Sequence, residues 1–271
     1  MKYALVNGER QEAQSGISGT CPSCERTMVA KCGEIKIHHW AHLGKRTCDP
    51  WWENETEWHR GWKGHFPTAW QEVVHFSESG EKHIADVKTD QGWTLEFQHS
   101  YLSSEERRAR DNFYGKLVWV VDGTRRKRDA TQFLALLNRG SAVGSNGLVR
   151  KVDPNNSALL QEWASGDAPV FFDFGEQSRL WWLLPKSPNG VRDYIAAFSR
   201  PNFIELHLRD TKENQEFEKF ISEFSNLVSQ GTSGPRSIRP ELAPRNQQAP
   251  APQSFQQHLA QVQRARFRRR F

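Results

Sequence analysis

Asp86, Glu96 and Gln98 lie on two short strand-like segments, residues 82–87 and 93–99, joined by a turn-like Asp-Gln-Gly sequence. The segments predict the strands of a β-hairpin. Side chains two apart on a strand share a face, and a suitable register brings Asp86 beside Glu96 and Gln98. Facing carboxylates repel unless one is protonated or a cation lies between them, and a hard divalent cation meets that need. The alternative is an exposed hairpin with unremarkable acids.

Metal-binding residue types also lie nearer the start of the chain. Cys21 and Cys24 have the spacing of a zinc knuckle, and after fourteen intervening residues His39 and His42 supply a second pair. Four such N and S donors suit tetrahedral zinc, in a closed site whose role is structural. Other donors are also available: His38, Cys32 and Cys48. The spacing leaves the two further cysteines as bystanders, and unligated thiols with packed histidines are the alternative.

The charge of the 271-residue chain is concentrated at one end. The formal net charge is +5, yet the residues from 235 onward hold eight Arg and a single Glu. Such a basic extension often contacts polyanions. An apolar content of 37% with 25% charged residues is ordinary for a globular protein and excludes a disordered chain. No apolar run approaches the roughly 20 residues of a membrane span, and no signal peptide is evident, so we expect a cytoplasmic protein without membrane contact.

The acid hairpin is embedded in a predicted mixed α/β unit. Residues 51–122 indicate the order helix, strand, strand, strand, helix, strand. The expected helices cover about residues 54–66 and a segment starting near Ser104, where Ser103 and Glu106 have capping-box spacing. The expected strands are residues 70–76, 82–87, 93–99 and 116–121.

A second group of elements is predicted further along the chain. Four short strands are expected at residues 168–174, 179–185, 194–200 and 203–208. An amphipathic helix over residues 211–230, with Asp210 and Glu213 as possible capping residues, closes this group. Pro, Gln and Ala then indicate a linker, followed by a possible basic helix that reaches the last residue.

Together these features resemble the competence protein CoiA family, whose nuclease-like domain belongs to the PD-(D/E)XK superfamily. The matching pieces follow the family's order over residues 18–123: the Cys-x-x-Cys and HWAH module, ETEWHRGWK, IADV, LEFQHS, RARDNFY and LVWVVDG. The resemblance implies a restriction-endonuclease-like core in which Asp86 and Glu96 ligate Mg²⁺ or Mn²⁺.

The resemblance also implies catalytic roles for Glu57 and Gln98. Glu57 would hold the attacking water at the metal or complete the metal site, although its spacing from Asn54 is also that of a capping box. Gln98 stands where the superfamily has Lys. A neutral Gln can orient a group or donate a hydrogen bond, but it cannot stabilise negative charge as a cation does.

The second predicted helix carries candidate substrate-binding residues: Arg107, Arg110 and Tyr114. They could contact a phosphate backbone, and the resemblance places Arg110 and Tyr114 at matching positions. The alternative is a solvated basic helix face.

These inferences predict four parts: a zinc-binding, zinc-ribbon-like module (1–50), a PD-(D/E)XK nuclease core (51–148), an accessory α/β domain (149–231), and a Pro/Gln-rich linker with a basic tail (232–271). The expected function is metal-dependent hydrolysis of DNA in processing, uptake or defence against foreign DNA. A catalytically inactive DNA-binding or protein-interaction adaptor is the alternative. Expected partners are DNA and, through the accessory domain, a second copy or another protein.

Overall fold

The computed structural model describes residues 1–44, 48–51, 53, 55–143, 148–209 and 215–229. The fold is mixed α/β, as predicted, and the strands belong to two sheets. The chain divides into two compact units, Met1–Trp119 and Val120–Phe271. The four-part division drawn from the sequence stays a prediction. Among the described residues, no helix is long and apolar enough to cross a membrane.

The first unit begins with an antiparallel sheet of five short strands in the order β2-β1-β3-β4-β5. The strands are β1 Tyr3–Val6, β2 Glu9–Glu12, β3 Ser18–Thr20, β4 Thr27–Lys31 and β5 His39–His42. Met28 and Trp40 are almost fully buried at its centre, and the Trp40 indole N–H donates to the Gln11 carbonyl at 2.9 Å. Cys21 belongs to the same small core, so this core includes a potential metal ligand.

The elements that follow keep the predicted order, and the last strand crosses the boundary between the two units. They are α1 Glu57–Lys63, β6 Gln71–Phe76, β7 Lys82–Lys88, β8 Thr94–Gln98, α2 Ser104–Tyr114 and β9 Leu117–Asp122, with a short 3-10 helix at Thr68–Trp70. The strands lie in the order β9-β8-β7-β6. The predicted cap of α2 is present, since Ser103 Oγ accepts the Glu106 N–H at 3.1 Å. The first helix is shorter than predicted because Thr56 caps it.

The second unit holds five antiparallel strands in the order β10-β11-β14-β13-β12. These strands are β10 Ser141–Val143, β11 Val149–Lys151, β12 Val170–Asp173, β13 Arg179–Leu183 and β14 Tyr194–Ser199. The helices are α3 Lys127–Arg139, α4 Ala158–Trp163, α5 Arg200–Arg209 and α6 Glu216–Ser229, with a short 3-10 helix at Pro154–Asn156. Phe220 and Phe224 of α6 pack on the buried Trp182, so the apolar stripe of the closing helix is core.

One predicted strand of the second unit is wrong, because residues 203–208 lie within helix α5. Phe203 and His207 are four residues apart and both buried, which is the spacing of one helix face. Ser199 Oγ accepts the Asn202 N–H at 3.2 Å and so supports the helix start. The predicted capping pair of α6, Asp210 and Glu213, and the tail from residue 232 lie outside the described residues.

Candidate functional site

Three thiols and one imidazole converge in the first unit. The ligand atoms of Cys21, Cys24, His42 and Cys48 all lie within 4.8 Å of one another. The distances from His42 Nε2 to the Sγ atoms of Cys24 and Cys48 are 3.3 and 3.4 Å. Ordinary Zn–S and Zn–N bond lengths place such atoms about 3.6 Å apart around a tetrahedral ion. The set therefore fits a structural metal such as zinc. Within the described ranges, no other group of three or more His, Cys, Asp or Glu side chains converges in this way.

A tight turn between β3 and β4 presents the first two thiols. The Cys21 N–H donates to the Arg26 carbonyl and the Glu25 N–H donates to the Cys21 carbonyl, each at 2.9 Å. Glu25 adopts the left-handed conformation, with a φ of 62°, that closes the turn. The Cys-x-x-Cys spacing thus brings Cys21 and Cys24 together through local backbone geometry.

Two thiols of this cluster, those of Cys21 and Cys48, resist ionisation without a cation. Burial raises the pKa of the Cys48 thiol to about 12, and the neighbouring Cys21 and Cys24 thiols add to the effect. Burial also raises the pKa of Cys21. A bound metal cation reverses this preference because thiolate is the ligating form. A metal bound by these four side chains would therefore stabilise the Cys21 and Cys48 thiols as thiolates.

The structure differs from the sequence prediction in one ligand, since Cys48 takes the place assigned to His39. His39 and His42 are three residues apart on β5, so their side chains leave opposite faces of the strand. His39 Nδ1 instead lies 2.9 Å from the Ile37 carbonyl oxygen. The sequence already contained this information, because two residues three apart on a strand, such as the two His of HWAH, cannot share a face. Cys32 lies outside the cluster, as the spacing indicated, and packs against the core of the N-terminal sheet.

A separate polar pocket of about 60 Å³ lies in the same unit, with room for a few water molecules or a hydrated ion. Six carboxyl side chains line it: Asp49, Glu53, Glu55, Glu72, Asp86 and Glu96. Two cationic side chains, Lys63 and Arg110, also line it. We call this cavity the acid pocket. Its wall carries more acids than bases.

The hairpin register brings Asp86 and Glu96 together in the acid pocket. Because Val87 pairs with Leu95, Asp86 and Glu96 lie opposite each other on β7 and β8. The Phe97 N–H donates to Asp86 Oδ2 at 3.0 Å, and the Asp86 N–H donates to Glu96 Oε1 at 3.3 Å. Each carboxylate is thus anchored by the backbone of the neighbouring strand.

These two acids hinder each other's ionisation. Burial raises the pKa of Glu96 to about 8, and the Asp86 carboxylate adds to this effect while Arg110 opposes it. Burial also raises the pKa of Asp86, against the opposing charges of Lys63 and His59. Facing acids of this kind are stabilised as carboxylates when a cation binds between them.

Lys63 connects the acids at one end of the pocket. Its Nζ lies 2.8 Å from an oxygen of Glu55, 2.8 Å from one of Glu72 and 3.9 Å from Asp86 Oδ1. Burial alone would lower the pKa of Lys63, but the surrounding carboxylates raise it, Glu72 most. Glu72 also accepts the backbone N–H groups of Lys2 and Tyr3. Lys63 is therefore a buried cation held by carboxylates.

Sequence reasoning missed Glu53, Glu55 and Glu72. Glu72 lies in line with Asp86, because the pairs Gln71–Val87 and Val73–Ala85 lie on either side of it, in a register that only the structure shows. A third carboxylate therefore belongs to the row formed by Asp86 and Glu96. For Glu53 and Glu55, no element boundary in the sequence was sharp enough to place them.

Glu57 is not among the residues that line the acid pocket, and its predicted catalytic role stays a prediction. It is the first residue of α1 and is exposed to solvent. Thr56 caps the helix, with its Oγ1 accepting the His59 N–H at 3.3 Å. Glu55, just before the cap, is the residue that turns towards Lys63. Asn54, the alternative capping partner, lies outside the described residues.

Gln98 lines the pocket and is 1% exposed. Its amide Nε2 donates to a Glu53 carboxylate oxygen and, at 3.2 Å, to the Ser100 carbonyl. The Gln98 side chain is neutral and adds no charge to the pocket. Its observed contacts orient a neighbouring carboxylate and a loop.

The predicted phosphate-binding residues form the buried stripe of α2. Arg107, Arg110 and Tyr114, spaced by three and four residues, share the inward face, and each is less than 7% exposed. Arg110 and Tyr114 line the acid pocket, whereas Arg107 does not. Arg110 Nη1 lies 3.4 Å from Glu96 Oε2. The helical spacing of these residues is that of a core face, and their contact with a phosphate backbone stays a prediction.

Comparison with known proteins identifies the N-terminal segment. Residues 9–50 match the family model described as Competence protein CoiA, N-terminal domain. Neither the curated proteins nor the solved structures compared with the chain give a match. The matched segment runs from β2 past Cys48 and contains all four side chains of the metal-binding cluster. The N-terminal segment of the chain is thus similar to the N-terminal domain of the competence protein CoiA family.

Proposed function

We propose that the acid pocket binds Mg²⁺ or Mn²⁺ and that the chain is a nuclease hydrolysing DNA phosphodiester bonds in a competence-related role. The observation that carries this proposal is a pair of carboxylates, half-buried Asp86 and buried Glu96, held opposite each other on adjacent strands. The name of the family matched by the N-terminal domain supports the competence setting.

The charge of the pocket wall supports a cation more than a bare phosphate site. Six carboxyl groups and two cationic side chains line the cavity, so a phosphate entering alone meets excess negative charge. A divalent cation would neutralise that charge, polarise the phosphate and make a bound water more acidic. Asp86 and Glu96 would hold the ion because they are the acids whose ionisation is hindered by burial and proximity. DNA is the expected substrate from the family resemblance.

Lys63 is the side chain best placed to supply the positive charge that Gln98 lacks. It reaches the pocket from α1, and its Nζ lies 3.9 Å from Asp86 Oδ1. The carboxylates around it keep it protonated. A fixed cation beside the metal-binding acids can stabilise charge that develops on a phosphate. Gln98, in contrast, orients Glu53 through its amide.

A charge-swap experiment tests this assignment of Lys63. We expect Lys63→Gln to lower the cleavage rate by about 10²-fold, the usual effect of losing one charge-stabilising group. Adding Gln98→Lys to that variant should restore part of the rate, since it returns a cation to the pocket wall. Lys88→Gln, on the same strand as Asp86 but outside the pocket lining, is the matched control. A folded Lys63→Gln variant with the unmodified rate would exclude the assignment.

The nuclease proposal itself is tested with the purified full chain. Linear duplex, single-stranded and branched DNA, and RNA, are incubated with Mg²⁺, with Mn²⁺ or with EDTA. We expect cleavage of at least one DNA substrate with a divalent cation and none with EDTA. Absence of cleavage under every condition would reject the proposal.

A non-cleaving adaptor is the second candidate function, and one observation favours it. Arg110 lies 3.4 Å from Glu96, and Lys63 contacts Glu55 and Glu72, so several acids have cationic partners without a metal. An adaptor would bind DNA equally well with Mg²⁺ and with EDTA, and it would cleave none of the substrates. The basic residues after 235, expected to contact DNA, lie outside the described residues.

A further inference from the structure

The residues directly after one potential metal ligand line the acid pocket. Cys48 belongs to the thiol and imidazole cluster, whereas Asp49, Trp51 and Glu53 line the pocket. We call residues 48–51 and 53 the connecting segment. A single peptide bond joins Cys48 to Asp49. Holding the Cys48 thiol in place therefore also restricts the position of Asp49 in the pocket wall.

Asp49 fixes the connecting segment to the strand that carries Asp86. It is 7% exposed, and its Oδ2 accepts the Ile84 N–H at 2.9 Å. Its Oδ1 lies 2.9 Å from His83 Nδ1 and also accepts the Trp51 N–H at 2.9 Å. Asp49 therefore holds the connecting segment against β7, at a point two residues before Asp86.

Trp51 fixes the cationic side chain that faces Glu96. Its ring stacks on His83, with centroids 3.3 Å apart and planes 12° apart. The Trp51 carbonyl accepts a hydrogen bond from Arg110 Nη2 at 2.7 Å. The Arg110 guanidinium lies 5.5 Å from the centroid of the Trp51 ring. Trp51 therefore helps to hold Arg110 beside Glu96, together with Glu106, which accepts the Arg110 Nε–H at 3.2 Å.

Glu53 makes the third connection. It accepts hydrogen bonds from the Gln98 amide and, at 3.3 Å, from the Ser100 N–H. Both donors follow Glu96 on the same stretch of chain. The connecting segment therefore contacts both strands of the acid hairpin and α2, and these contacts come from side chains and loop backbone, which give a segment little stability of its own.

We propose that metal binding by Cys48 positions Asp49, Trp51 and Glu53, so that occupancy of the thiol and imidazole cluster sets the cation affinity of the acid pocket. The metal-binding cluster then has a positioning role for the pocket as well as a structural role in its own module. The part of this inference that concerns cation affinity rests on the proposed function of the acid pocket.

The test compares Cys48→Ser with Cys32→Ser in the full chain. Cys32 belongs to the same module and lies outside the cluster, so its variant controls for the loss of a thiol. Zinc content, Mn²⁺ affinity and hydrogen exchange of the Ile84 and Ser100 N–H groups are measured. We expect Cys48→Ser to lose zinc, to exchange these two protons faster, and to bind Mn²⁺ about tenfold more weakly or worse. Cys32→Ser should match the unmodified chain in all three.

A second variant separates positioning from folding of the module. Asp49→Ala keeps every residue of the cluster and should keep its zinc, yet it should show faster Ile84 exchange and the same loss of Mn²⁺ affinity. Unchanged exchange and Mn²⁺ affinity, in Asp49→Ala or in zinc-free Cys48→Ser, would overturn the inference. If the unmodified chain bound no Mn²⁺, the proposed function would fail, while the exchange of Ile84 and Ser100 would still decide whether the cluster positions the pocket wall.

Discussion

We expect Asp86→Asn and Glu96→Gln each to lower metal-dependent cleavage by about 10³-fold or more. Either change removes an anionic oxygen from the proposed ion, and the charge stabilisation that such an ion supplies amounts to several kcal/mol. An amide keeps the shape of the side chain, and its oxygen can still accept the backbone N–H of Phe97 or Asp86. Folding should therefore be preserved while Mn²⁺ affinity falls. Cleavage assays and Mn²⁺ titrations measure the two effects.

Two acids outside the pocket serve as matched controls. Asp90 lies exposed in the turn of the same hairpin, and Glu57 lies exposed at the start of α1. Asp90→Asn and Glu57→Gln should cleave at the unmodified rate. The second control also decides between the catalytic role that the family resemblance implied for Glu57 and its position in the structure. Unmodified cleavage by Asp86→Asn or Glu96→Gln would show that the metal site lies elsewhere.

The acid hairpin could be predicted because the information that builds it is local. Alternating apolar residues define both strands, and turn residues join them within a few positions. Once that register is set, Asp86 and Glu96 must lie opposite each other. The capping of α2 by Ser103 is equally local, since its partner is three residues away. Local spacing of this kind can be seen in one sequence without a structure.

The partners that complete the pocket could not be predicted, because they come from distant parts of the chain. Asp49 reaches Ile84 across 35 residues, and Glu72 accepts N–H groups from residues 2 and 3. Such contacts depend on how the N-terminal sheet packs within the first unit, which no spacing expresses. Residues 203–208 show a related limit, since a short apolar run suits a strand or a buried helix equally well.

Mutation of the thiol and imidazole cluster should have the largest effect on stability. We expect the unmodified chain to contain one zinc ion and Cys24→Ser to lose it, with unfolding of the N-terminal sheet. The core of that sheet is small, and Cys21 is part of it. In small zinc domains the metal contributes on the order of 10 kcal/mol, more than such a core supplies alone. Metal analysis, together with thermal unfolding followed by circular dichroism, measures both losses.

His39→Gln is the control that separates the two possible ligand sets. His39 and His42 point to opposite faces of β5, so only one of them can bind the ion held by Cys21 and Cys24. His39→Gln should therefore keep its zinc and its unfolding temperature, whereas His42→Gln should lower both. The opposite result, with zinc lost from His39→Gln and retained in Cys48→Ser, would restore the ligand set drawn from the sequence. Zinc-free unmodified protein with a folded N-terminal sheet would exclude a structural metal altogether, because no metal would then be needed to hold the module together.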